Sequence, residues 1–325
     1  MPFNNQPKER YSRQILLQEI GREGQQMLSQ SAVAIVGLGA LGSVAAELLA
    51  RAGVGNLILI DRDIVEESNL QRQLLYREQD VGKSKALAAQ QALQTINSTL
   101  KSEMLPIHLN SQNISLLNNA DLILDCTDNI GTRLLLNDYG KQHKKPWIYA
   151  AAIKTRGMVM PILPKGPCLR CFLPETSAET CDTVGVLNTI TTSIAALQVS
   201  IAFKVLLQQN VDPVLYHFDC WNPSFQTITI KQNPSCPACN ERYEFLQRSE
   251  ETKVIPFCAG KRYQIQGKKH DFPLLKKRWE RLGIVQEDEA TLRFKNILLF
   301  KDGHALITAQ SEEEALTIYS KYVGN

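Results

Sequence analysis

The stretch from Ala32 to Asp61 constrains the fold of this chain more than any other. Ala32-Val33-Ala34-Ile35-Val36 is an unbroken apolar run, suited to a strand buried on both faces. Gly37-Leu38-Gly39-Ala40-Leu41-Gly42 comes directly after it, and Ser43 to Arg51 has helical spacing. A second strand, Leu57-Ile58-Leu59-Ile60, ends on Asp61, 19 residues after Gly42. The segment therefore reads as a βαβ unit closing on an acid. Glycines at that turn let the backbone approach a phosphate at a helix N-terminus, and the carboxylate falls where ribose hydroxyls are held. By itself the pattern also fits a dinucleotide-dependent dehydrogenase. A P-loop does not fit, because Gly82-Lys83-Ser84 has the right ending but position 77 is Arg where that loop needs Gly.

Downstream lie two C-x-x-C pairs, Cys168/Cys171 and Cys236/Cys239. Four thiolates in two such knuckles satisfy tetrahedral zinc. The wide gap means that the metal would pin two distant regions together. The plainer reading is two buried or disulfide-bonded pairs. Cys181 stands alone between them, in Glu179-Thr180-Cys181-Asp182.

At 325 residues the chain is long enough for one large domain and a small one. Its net charge of +3 indicates no sequence-independent nucleic-acid role. Residues 1–6 lack the basic-then-apolar layout of a signal peptide. Val184 to Leu207 is the most apolar long stretch, yet it contains Asn188, Gln198 and Lys204, so it reads as a buried helix and not a membrane span. Eight cysteines, four of them in metal-type pairs, suit a reducing cytoplasm.

A helical opening runs from Arg10 toward Leu28. Further strands are expected at Lys101 to Pro106, Leu122 to Asp125, Trp147 to Ala152, Leu215 to Asp219 and Thr227 to Lys231. Helices are expected at Ser84 to Ile96, Thr132 to His143 and Thr189 to Gln208. The whole reads as α/β: a Rossmann-like, doubly wound, mostly parallel sheet with an antiparallel extension and a zinc knuckle. Residues 1–248 form this domain. From about Ser249 the texture turns polar and basic, as in Lys268-Lys269-His270 and Lys276-Lys277-Arg278. Three short strands at Thr291–Phe294, Ile297–Phe300 and Ala305–Ile307, with a closing helix from Glu312 to Tyr322, make residues 249–325 a small α+β appendage of unassigned role.

The residues beyond Asp61 favour ATP. Ser68-Asn69-Leu70-Gln71-Arg72-Gln73 places amides and a guanidinium shortly after the acid, Lys85 comes next, and Asp125-Cys126-Thr127-Asp128-Asn129 closes a strand. Side chains at the carboxyl ends of parallel strands line the ligand crevice. Arg and Lys suit a triphosphate, and Asp128 suits a magnesium ion bridging its oxygens. Any one of these residues alone reads equally as an ordinary loop polar.

Together these stretches resemble the MoeB/ThiF family, bacterial relatives of the ubiquitin-activating enzymes. The matching residues are Arg10-Tyr11-Ser12-Arg13-Gln14, the glycine turn, Ala52-Gly53-Val54-Gly55, Asp61-Arg62-Asp63, Ser68 to Gln73, Asp125 to Asn129, Thr132-Arg133 and both cysteine pairs. The likeness covers roughly residues 8 to 247 in family order.

The resemblance implies ATP-dependent adenylation of the C-terminal glycine of a ubiquitin-fold sulfur carrier, ThiS-like or MoaD-like, with a Gly-Gly tail. It serves thiamine-thiazole or molybdopterin synthesis. It places Gly37, Gly39, Ala40, Gly42, Asp61, Asp63, Ser68, Asn69, Leu70, Gln71, Arg72, Lys85, Asp128 and Asn129 around the nucleotide. Asp61 would hold the ribose, Asn69 and Arg72 the phosphates, Lys85 the developing pyrophosphate and Asp128 the magnesium. Arg13 would reach the neighbouring subunit's site, implying a homodimer, although its plainer reading is a solvated surface charge. The paired cysteines would hold structural zinc.

Cys181 matches the cysteine that in some members forms a covalent adduct with the activated carrier. Glu179 and Asp182 beside it would raise its pKa. The departure is Ala40, where many relatives carry Gly, and slightly weaker nucleotide binding is expected there. Cys258 reads as structural. The partners implied are the carrier and a sulfur donor such as a cysteine desulfurase or rhodanese, with no nucleic acid and no membrane. The tail weakly favours a ThiS-like carrier. The alternatives are another peptide or tRNA acceptor on the same fold, or a non-enzymatic scaffold.

Overall fold

The computed structural model describes residues 9–173, 184–247, 254–256 and 261–324. The chain divides into two compact units, one of residues 1–105 and 109–248, the other of 106–108 and 249–325.

In the first unit the strands are β1 (Ala32–Val36), β2 (Asn56–Ile60), β3 (Lys101–Leu105), β4 (Leu122–Asp125), β5 (Trp147–Ile153), β6 (Arg156–Ile162), β7 (Val214–Asp219) and β8 (Ser224–Thr229). They lie in one sheet of order β3-β2-β1-β4-β5-β6-β7-β8. The first five pair in parallel, and β5 to β8 pair antiparallel. The helices are α1 (Ser12–Ile15), α2 (Gly21–Gln30), α3 (Ala40–Ala52), α4 (Lys85–Ile96), α5 (Ile130–Gln142), α6 (Asn188–Leu206) and α7 (Glu244–Gln247).

The unbroken apolar runs arise from burial on both faces. Val33, Ile35, Leu57, Leu59, Leu122 and Leu124 pack into one core with α3, α4 and α6. Their alternates Ala34, Ile58 and Ile123 are equally buried. That is the condition a doubly wound parallel sheet imposes.

Helix α6 is long and apolar enough to cross a membrane, but it packs on α3, β5 and β6. Its Gln198, fully buried, donates to the carbonyls of Asp125 and Ile148 at 2.9 Å each. A polar side chain so placed ties the ends of β4 and β5 to the helix.

Two local expectations need correction, and one strand was not expected. The opening helix is broken into α1 and α2, with Gly21 at φ +59° turning the chain between them. The second strand of the late hairpin is Ser224–Thr229 and not 227–231. Asp219 Oδ1 accepts from the N–H groups of Trp221 and Asn222, and this tight turn brings Ser224 opposite Asp219. Strand β6 carries a proline and a glycine that hid it. Gly157 is required there because a Cβ would lie 2.3 Å from Ile194 of α6.

The second unit is an antiparallel sheet of order β11-β12-β13-β14-β10-β9. Its strands are β9 (Val254–Pro256), β10 (Arg262–Ile265), β11 (Val285–Glu287), β12 (Thr291–Phe294), β13 (Ile297–Phe300) and β14 (Ala305–Thr308). Helices α8 (Phe272–Glu280) and α9 (Glu312–Tyr322) complete it. Three strands and α8 go beyond the expected elements. Asp271 caps α8 by accepting from Leu274 N, and Leu275 and Trp279 bury one side of the helix. The basic run 276–278 is thus part of a helix.

Candidate functional site

The strand order reverses between β1 and β4, and the loops leaving their carboxyl ends meet there, which is where an open α/β sheet forms its ligand crevice. Gly37 sits at φ +88°, and a Cβ on it would lie 2.7 Å from the Cys126 carbonyl oxygen. At Gly42 a Cβ would lie 1.9 Å from Gly37 O, so helix α3 can start this close to the turn only without a side chain. Gly39 differs. A Cβ there would meet only Gln73 Nε2, at 3.7 Å. Packing within the chain therefore does not demand this glycine, and the space beside it is open.

Asp61 closes the turn from the next strand. Its Oδ2 accepts from Leu38 N at 2.6 Å and its Oδ1 from Asp63 N at 2.8 Å. Burial raises its pKa, as does Asp63, while Lys85 and the two backbone donors oppose the rise.

Residues 63–65 run beside 82–85, with Val65 N bonded to Lys83 O and Lys85 N to Asp63 O, both at 2.9 Å. That pairing seats Lys85 at the first position of α4, and its Nζ reaches Asp63 Oδ2 at 3.3 Å. Burial would lower the Lys85 pKa, but Asp63, Asp61 and Asp128 together outweigh it and hold the ammonium protonated. A buried, fixed cation flanked by carboxylates beside a glycine turn suits a phosphate and its counter-ion.

Between these strands and α4 the chain forms a compact loop. Asn69 is buried, and its Oδ1 accepts from Glu66 N at 3.1 Å, so it shapes the loop from within. Arg72 donates to Ser68 O at 3.0 Å and is half-buried, as is Leu70, while Ser68 and Gln71 are exposed. Gln73 is buried, and its Oε1 has no hydrogen-bond partner among the described residues. Tyr76, which belongs to none of the motifs, donates from its hydroxyl to Leu38 O at 2.8 Å and lies 3.4 Å from Lys85 O. It ties the glycine turn to the start of α4. Its signal in the sequence is only an aromatic in a polar loop.

At the end of β4, Asp125 is fully buried, accepting from Thr127 N and Oγ1 and from Arg133 Nε at 3.1 Å. Burial raises its pKa, against the pull of Arg133 and Thr127. Arg133 also donates to the carbonyls of Thr127 and Ala150, and so fixes the loop carrying Asp128. Asn129 caps α5, accepting from Thr132 N at 2.9 Å. The Asp128 carboxylate is exposed, and it lies close enough to raise the pKa of both Lys85 and Arg133.

The structure thus gathers the glycine turn, Asp61, Asp63, Lys85 and Asp128 near the carboxyl ends of the parallel strands. Ala40 begins α3 beside it. Arg13 is exposed on α1. Cys181 and Cys258 lie outside the described residues.

The four paired cysteines form a separate cluster. Cys168 Sγ lies 3.9 Å from Cys171, 3.5 Å from Cys236 and 3.5 Å from Cys239, and Cys171 lies 3.6 Å from Cys239. Disulfides are excluded at these separations, whereas a tetrahedron with Zn–S of about 2.3 Å has edges of about 3.8 Å. Burial pushes the Cys168 thiol well up and Cys239 up to about 12. At Cys171 burial is outweighed by backbone N–H groups of Asn233 and Cys168, and its pKa falls. The donor set fits zinc.

The chain is similar to known proteins along most of its length. The ThiF family model matches residues 11–238. "Sulfur carrier protein ThiS adenylyltransferase" of Bacillus subtilis (strain 168) is 35% identical, over 97% of this chain and 99% of its own length. "Sulfur carrier protein adenylyltransferase" of Thermus thermophilus is 36% identical, over 74% of this chain and 94% of its own. Among solved structures, E. coli MccB with MccA-N7isoASN superposes with a TM-score of 0.64 at 24% identity. It covers 73% of this chain and 75% of that one, a likeness of fold.

Proposed function

This chain belongs to the ThiF family, and on that premise we propose that it is an ATP-dependent adenylyltransferase. Its substrate is the C-terminal glycine of a small ubiquitin-fold sulfur carrier of the ThiS kind. The observation that carries this reading is the match to the Bacillus ThiS adenylyltransferase along nearly the full length of both chains. A relative of the nucleotide unit alone would leave the second unit unmatched.

In the proposed reaction a carboxylate oxygen of the carrier attacks the α-phosphorus of ATP. The bond from that phosphorus to the bridging oxygen breaks, and pyrophosphate leaves. A free carboxylate is a poor electrophile and the mixed anhydride a good one, so sulfur transfer can come next. The protein contributes positioning and charge in a sheltered crevice. Gly39 leaves room for phosphate against the turn, Asp61 accepts from the ribose hydroxyls, and Lys85 with Arg72 neutralises the leaving pyrophosphate. Asn69 keeps Arg72 in place by holding their shared loop. Asp128 would hold magnesium, which when bound offsets charge on the phosphate oxygens.

Arg13 would complete the site of a second copy of the chain, making the enzyme a homodimer. Cys181 would take the acyl group from the adenylate with release of AMP, as a thioester awaiting a sulfur donor such as a cysteine desulfurase or rhodanese. The reaction belongs in the cytoplasm, where thiols stay reduced.

ATP–pyrophosphate exchange tests the reading. Exchange that requires a ThiS-like carrier ending in Gly-Gly, and that falls at least 100-fold in Arg72→Ala and Asp128→Ala with the fold retained, is the expected result. Exchange without a carrier, or with one lacking the Gly-Gly tail, overturns it in favour of another acceptor. Undiminished exchange in Asp128→Ala removes that residue from the magnesium role.

A further inference from the structure

Helix α5 meets the cysteine cluster through two fully buried polar side chains, Asn137 and Asp138. Asn137 Oδ1 accepts from Leu169 N at 2.9 Å, inside the first C-x-x-C pair, and its Nδ2 points to Cys168 Sγ at 3.6 Å. The backbone donor fixes which way the amide is turned, because only the oxygen can accept from Leu169 N. An N–H group is therefore aimed at the sulfur. Asp138 takes the other side, accepting from Phe245 N at 3.0 Å, just past the second pair, with Arg170 3.9 Å away.

We propose that Asn137 belongs to the metal site. It is a positioning residue whose amide donates to the Cys168 thiolate and locks the first knuckle onto α5, so that it sets how firmly the metal is held. The inference rests on the reading of the four cysteines as a zinc site, and nothing in the C-x-x-C pattern points to this residue. A buried thiolate bound to a cation keeps lone-pair density that an amide N–H stabilises, and losing a partner of this kind typically costs about 10–100-fold in metal affinity. Backbone N–H groups of Cys168 and Asn233 donate to Cys171, so the Asn137 amide serves a different sulfur of the cluster. Helix α5 is also the helix that starts directly after Asp128 and Asn129, so the metal braces the element behind the nucleotide loop.

The test is zinc release from the full-length protein to a chromophoric chelator, with folding monitored by circular dichroism in excess zinc. Asn137→Asp keeps the acceptor for Leu169 N but turns an oxygen toward the thiolate, and Asn137→Ala removes both contacts. Each should release zinc about 10–100-fold faster than wild type. Asp138→Asn loosens the same helix-to-knuckle joint without touching a sulfur, and should release zinc at the wild-type rate while melting lower. Wild-type release rates in both Asn137 variants overturn the proposal. So does Asp138→Asn releasing as fast as Asn137→Ala, since a loosened joint would then suffice. A wild type purified from zinc-replete cells without zinc overturns the reading of the cysteine cluster itself.

Discussion

Replacing Tyr76 by Phe removes one oxygen atom and little else, which makes it a sharp probe of how the glycine turn is held. The side chain is only 4% exposed, and its hydroxyl donates to Leu38 O at 2.8 Å, with Lys85 O 3.4 Å away. A buried neutral hydrogen bond contributes about 1 kcal/mol, and an acceptor left without a partner costs about 1–3 kcal/mol. The longer contact adds little, so the expected loss is about 1–2 kcal/mol. For a unit of this size each kcal/mol lowers the melting temperature by about 2–4 °C, giving a fall of about 2–8 °C.

The functional effect is separable. Without the strut the glycine turn must be ordered by ATP itself. Loss of about 1.4 kcal/mol in that step raises the KM for ATP about tenfold, with kcat at saturating ATP nearly unchanged. The assay is carrier-dependent pyrophosphate exchange against ATP concentration, paired with thermal melts. A variant that melts lower but keeps its KM for ATP would refute the reasoning, because Tyr76 would then brace the fold and not the site.

Lys85 should not titrate in the neutral range. Its pKa is raised because Asp63, Asp61 and Asp128 outweigh burial, so the stability and charge it supplies are fully present below the unfolded lysine value and are lost only as pH rises through the higher folded value. Exchange should therefore show no lysine-dependent fall below about pH 10, and a basic limb at pH 8–9 that disappears in Lys85→Arg would contradict this. Two glycines should behave oppositely. Gly39→Ala, with open space for its methyl, should keep the melting temperature within about 1 °C, yet weaken ATP binding. Gly42→Ala, whose methyl would collide with Gly37 O, should melt lower by at least several degrees. Equal melting of the two variants would show that Gly39 is not kept free for a ligand. Stripping the zinc should lower the melting temperature markedly, since structural zinc contributes on the order of 10 kcal/mol in small sites. An unchanged melt after proven metal loss would count against a structural role.

The parts legible in the sequence were those set by local rules. A continuous apolar run ending in G-x-G-x-x-G and then an acid can hardly be anything but a parallel strand entering a helix, because burial on both faces and phosphate-sized glycines act over a few residues. The cysteine spacing likewise pointed to the four-sulfur cluster that the fold assembles. The antiparallel end of the sheet was harder. Strand β6, with Gly157 and Pro161, makes sense only once α6 lies against it, and β8 was shifted by a turn that Asp219 tightens through two backbone donors.

At the site, sequence identified which residue types were present, and the tertiary structure set which partners they meet. Asn69 and Asn129 are engaged in shaping their own loops, while Tyr76, Gln198 and Asn137 act over separations of up to 73 residues in the chain. Periodicity and motif spacing report on neighbours within a turn or a strand. A buried hydroxyl or amide finds its partner only when the sheet has brought distant loops together, and that is a property of the tertiary structure alone.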